Sequence, residues 1–84
     1  MGFYAILSVI EKLLVHREWK LHRCRRWAED SLHFYVTDVG HRVLTPTATQ
    51  RRSGLTLREL LVWIEQTGDD YLSDSVRAMR GQVE

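Results

Sequence analysis

The chain has 84 residues, 44% of them apolar, with eight Trp, Tyr and Phe side chains and a single cysteine. That composition excludes a disordered chain and a disulfide framework, and residues 1–84 read as one small domain whose core alone must hold it together. A formal charge of +1 argues against a dedicated nucleic-acid domain, yet the charge is split: residues 1–54 carry nine Lys/Arg against five Asp/Glu, net +4, and residues 55–84 three against six, net −3.

At the N-terminus the apolar run Phe3–Ile10 is cut off by Glu11 and Lys12. It falls well short of the roughly 20 residues that span a bilayer. It lacks the basic start and small-residue cleavage site of a signal peptide. Met1-Gly2 is followed by Ile6 where a myristoylation signal has Ser or Thr. With one cysteine, which suits a reducing compartment, the expectation is a soluble, cytoplasmic chain with no membrane contact. Phe3, Ile6, Leu7, Ile10, Leu13 and Leu14 recur at helical spacing, so residues 3–15 read as a helix. Val9 and Val15 widen its stripe and suggest burial on more than one side.

Residues 16–30 admit two readings. Arg, Lys, Glu, Leu and Ala permit a continued helix. Trp19 and Leu21 alternate with Lys20 and His22, which favours a strand over 17–26. On that strand Arg17, Trp19, Leu21, Arg23 and Arg25 share one face; Glu18, Lys20, His22, Cys24 and Arg26 share the other, a surface polar and basic enough to be exposed. Leu32, Phe34 and Val36 alternate with His33, Tyr35 and Thr37 as a half-buried strand. Asp38–His41 is a turn, with Gly40 expected to take a positive φ. Arg42–Thr45 returns as a short strand ended by Pro46, and Thr47–Gly54 is a polar, mobile loop.

Thr56 and Glu59 form a capping box, with Leu55 and Leu60 as a hydrophobic staple. Leu57, Leu60, Leu61 and Ile64 give the buried stripe of that helix, and Gly68 its stop. Asp69 or Asp70 caps a last helix with Leu72, Val76, Met79 and Val83 inward, closed by Gly81. The expected fold is α+β: an N-terminal helix, a three-stranded antiparallel meander and two C-terminal helices, α-β-β-β-α-α. Through the second helix this order resembles that of double-stranded-RNA-binding domains. The resemblance is of topology alone, because Thr56-Leu57-Arg58-Glu59 offers one base beside one acid where those domains carry a lysine-rich helix start.

Chemistry-bearing constellations are few. His22, Cys24, His33 and His41 could approach one another, but no paired C-x-x-C or H-x-x-x-H spacing supports a metal site. Cys24 lies among Arg23, Arg25 and Arg26, which favour a thiolate, but no oxyanion element accompanies it. Asp69, Asp70 and Asp74 are explained by helix capping, and the five glycines stand singly rather than in a phosphate loop. No catalytic residue, metal or cofactor is therefore assigned, and an enzyme is not expected.

The stretch Arg17–Arg26 is the feature to weigh. Lys20, His22, Arg23, Arg25 and Arg26, extended by Arg51 and Arg52 and anchored by Trp19 or Trp27, would dock on an acidic patch of a larger protein or ribonucleoprotein. The leading expectation is a non-enzymatic inhibitor or adaptor. Phages and mobile elements encode proteins of this size and plainness, anti-CRISPR inhibitors among them. The alternative is direct RNA or DNA binding by the same face, its aromatics stacking on bases. A homodimer built on the first helix is compatible with either.

Overall fold

In the computed structural model, which describes residues 2–25, 32–46, 54–67 and 69–83, the first helix, α1, runs Phe3–Val15. It buries one face: Ile6, Leu7, Ile10, Leu13 and Leu14 are inside. Val15 is 66% exposed, so the apolar stripe is narrower than its composition suggests. The helix stops in a Schellman turn. Glu18 takes φ 60°, its N–H donates to the Val15 carbonyl at 2.9 Å, and Trp19 N–H reaches back to that of Leu14 at 3.1 Å. Strand β1 therefore starts at Lys20 and runs to Arg25. The strand reading of this stretch holds, but Arg17 and Glu18 belong to the turn.

β2, Leu32–Thr37, pairs antiparallel with β1 in the register Lys20↔Thr37, Leu21↔Val36, His22↔Tyr35, Arg23↔Phe34, Cys24↔His33 and Arg25↔Leu32. The segment Arg42–Thr45, expected as a third strand, makes only a one-residue bridge, Val43 opposite Thr37. Leu44 N–H still donates to the Val36 carbonyl at 2.8 Å. One residue further, the Thr45 hydroxyl, not its main chain, receives Val36 N–H at 3.3 Å, and Pro46 has no N–H to continue the ladder. The sheet thus has two strands, and the likeness to the α-β-β-β-α order lapses. A second single bridge joins Phe34 to Leu55, with N···O distances of 2.8 and 2.7 Å.

In the turn, the Asp38 carboxylate accepts from the N–H groups of Gly40 and Arg42, both at 2.9 Å. The positive φ expected of Gly40 falls instead on His41, at 65°. Residues 26–31 and 47–53, the latter within the expected loop Thr47–Gly54, lie outside the described residues, as does Gly68, the expected helix stop.

α2, Leu57–Glu65, starts on the anticipated box: Glu59 N–H donates to Thr56 Oγ at 3.1 Å, and Thr56 N–H to the Glu59 carboxylate at 2.9 Å. α3, Asp70–Val83, is capped by Asp69, whose carboxylate receives Leu72 N–H at 3.0 Å. It runs through Gly81 rather than ending there. Leu60, Leu61 and Ile64 from α2 and Leu72, Val76 and Met79 from α3 join the α1 face, Phe34 and Val36 in one core. That burial is the dominant stabilising term of so small a domain.

Candidate functional site

β1 divides the residues of the basic stretch between two faces. Residues directly opposite in a ladder share a face, so Leu21 and Arg23 lie with the buried Val36 and Phe34 on the side of α1. Arg23 is bound there, its guanidinium donating to the Glu11 carboxylate of α1. Trp19, just before the strand, is half-buried against the core, 5.8 Å from the Trp63 ring. The Arg17 guanidinium caps it at 4.8 Å and pairs with Asp69. Arg23 and Trp19, both expected to make external contacts, thus have partners within the chain, although Arg23 stays exposed.

Lys20 and His22 occupy the opposite face. Lys20 is exposed and has no ion-pair partner among the described residues. The His22 ring stacks on Tyr35, centroids 4.5 Å apart and planes within 4°. A 2.7 Å hydrogen bond joins His22 Nε2 to Thr37 Oγ. Burial pushes the imidazole below its usual pKa of 6.5, and Lys20 and His41 nearby push the same way. Among the described residues the surface expected to be exposed here is open at Lys20 and half-buried at His22 and Cys24. Toward Cys24 and His33 the chain folds over it at Gly54: a Cβ on that residue would stand 2.9 Å from His33 Cβ and 3.0 Å from Cys24 Sγ. Only glycine lets the backbone approach so closely.

Of the remaining expected contact residues, Arg25 closes β1, while Arg26, Trp27, Arg51 and Arg52 lie outside the described residues. Glu11, Tyr35 and Thr37 also belong to this site and were not foreseen there. They enter through the strand register and through α1 packing across β1, which no local pattern encodes.

The main chain of β1 adds a second property. Phe34 spends both its N–H and its C=O on Leu55, so Arg23↔Phe34 is a wide, non-hydrogen-bonded pair of the ladder. Alternation then turns the peptide groups of Leu21 and Arg23 away from β2. Among the described residues those groups meet no backbone partner. β1 is an edge strand, KLHRCR, with three Lys/Arg and no acid.

Among the described residues no three His, Cys, Asp or Glu side chains converge as metal ligands, and no helix is long and apolar enough to cross a membrane. An open, apolar groove of about 320 Å³ lies between Pro46, Leu55 and the Arg58–Gln66 side of α2, with Val62 and Trp63 in its lining. No family of known proteins has a model that matches this chain, and no curated protein or solved structure matches it either.

Proposed function

We propose that the chain is a non-enzymatic binding protein, an inhibitor or adaptor, which docks on an acidic surface of a larger protein or ribonucleoprotein through β1. The observation that carries this reading is the disposition of charge around that strand. Among the described residues four acids are bound within the chain: Glu11 holds Arg23, Asp69 holds Arg17, Asp38 holds Arg42, and Glu65 holds Arg77 and Arg80. The strand itself contributes no acid, and Lys20 is left exposed on it. Uncompensated positive charge on one strand gives orientation and a faster encounter with a negative partner.

The test is capture from a host lysate, with and without nuclease, by the native chain and by a Lys20→Glu/Arg25→Glu/Arg26→Glu variant. Arg23 is left out because its charge is already met by Glu11. Loss of capture by the folded variant, with the native complex resisting nuclease, supports the reading. Unchanged capture by that variant overturns it. A complex that dissolves on nuclease treatment replaces it with direct nucleic-acid binding, whose mark is a steep fall of affinity with salt.

A further inference from the structure

We infer that the β1 edge recognises its partner by strand addition: an extended, acidic segment of the partner pairs antiparallel along Leu21–Arg23 and becomes a third strand. This rests on the reading of β1 as the docking strand and adds how the docking is made. The N–H and C=O groups of Leu21 and Arg23 point outward without a backbone partner among the described residues, which is the template that strand addition requires.

The chemistry of the edge selects the occupant. A second copy of this chain is a poor one, because pairing β1 with its own equivalent sets two basic strands, neither with an acid, beside one another, and opposed like charges destabilise a ladder. An acidic strand reverses the sign of that term. The two faces of β1 then dictate the partner's alternation. A residue opposite Leu21 joins a half-buried, apolar row continuing through Val36, and must be apolar. Its neighbour, opposite Lys20, meets an exposed cation and must be acidic. The ligand is therefore an extended peptide in which Glu or Asp alternates with Val, Ile or Leu. The edge charges that deter self-pairing are the ones that recruit it.

Strand addition separates from simple charge attraction through the peptide backbone. The probes are an eight-residue peptide alternating Glu and Val, and two isomers of it, each N-methylated on one of its two alternating sets of amides. All three carry identical side chains and charge. In an antiparallel ladder only one set of amides faces β1, so one isomer should lose binding by about tenfold or more, for two or more lost hydrogen bonds, and the other should retain it. Amide resonances of Leu21 and Arg23 in the full-length protein should shift most on titration, and Lys20→Glu should weaken the parent peptide.

If both methylated isomers bind as the parent does, while Lys20→Glu weakens all three, strand addition is overturned and the basic-strand reading stands. If Lys20→Glu changes nothing, both fall. Absence of any response to the parent peptide, β1-mediated dimers in sedimentation, or an oligonucleotide displacing the peptide from Leu21 and Arg23 each overturns strand addition.

Discussion

Arg17 and Asp69 meet at 2.5 Å although 52 residues separate them. The contact ties the turn that ends α1 to the residue that begins α3, and each partner has a second task. Arg17 lies over Trp19, and Asp69 caps α3 through Leu72 N–H. The hydrogen bond from Leu72, then the Arg17 guanidinium, hold the Asp69 carboxyl below its ordinary pKa of 3.8.

The two tasks of Asp69 separate by substitution. Asn caps a helix about as well as Asp, and Ala does not. Asp69→Asn should lower the melting temperature slightly, by the ion pair alone, and Asp69→Ala should lower it clearly further. Equal melting temperatures for the two variants would show that the cap contributes nothing. A depressed carboxylate stabilises above its unfolded pKa and loses that contribution as pH falls through its lower, folded one. Acid unfolding of the native chain should accordingly begin below about pH 4 for this group, with Asp38, held low first by Arg42 N–H, titrating in the same window.

His22 works in the opposite pH range. Its folded pKa lies below 6.5, so the unfolded chain takes the proton first. Stability is full above 6.5 and falls as pH drops through that value toward the folded pKa. The denaturation midpoint should decline as pH falls below about 6.5, and His22→Gln should flatten that decline. An identical slope in the variant would remove His22 as its source.

Three backbone positions predict opposite signs. Gly54→Ala places a methyl group 2.9–3.0 Å from His33 Cβ, Cys24 Sγ and Phe34 N, and should destabilise by about 1–3 kcal/mol through overpacking. Gly81→Ala meets nothing within 4 Å inside a helix and should stabilise by about 0.5–1 kcal/mol. Glu18→Gly relieves a left-handed residue and should also stabilise, by about 1 kcal/mol. Chemical denaturation of the three variants reads all three signs directly.

Glu65 is the joint between the C-terminal helices. Its carboxylate accepts from Arg80 and lies 3.5 Å from Arg77, while its main-chain carbonyl accepts the Ser73 hydroxyl at 3.0 Å. Truncation to Ala leaves two cations facing a lost anion, one of them 35% exposed, and should cost about 1–3 kcal/mol. A thermal shift indistinguishable from the native chain would place these pairs among ion pairs of no net worth.

Where the chain carries its own local signal, the sequence is readable. The 3.6-residue spacing of α1, the strand over 32–37 and the Thr56/Glu59 box each reappear with the expected bounds. The half-buried alternation of that strand does not, since His33 and Thr37 are buried along with Phe34 and Val36. What failed did so for nameable reasons. The end of α1 rests on Glu18, which bears none of the glycine signature of a Schellman turn. The third strand shrank to Val43 because Thr45 offers its side chain and Pro46 no N–H. Of the candidate site, the strand was legible, and the ladder divides residues 20–24 between two faces as expected, but only Lys20 of its outer face is exposed among the described residues. The capture of Arg23 by Glu11 and the cover at Gly54 were not legible, since both depend on segments remote in sequence.

The arrangement around β2 also sets a schedule in time. Its inner side zips to β1 through a continuous ladder, while its far side is held by single residues at Leu55 and Val43. Deuterium should therefore enter the chain in an order. The amides of Leu21 and Arg23, facing outward, exchange first, at rates close to those of a free peptide. That of Val36, sheltered only by the Thr45 hydroxyl, follows. Phe34 and Leu55, which shield each other, wait until the crossing at Gly54 lifts from the sheet.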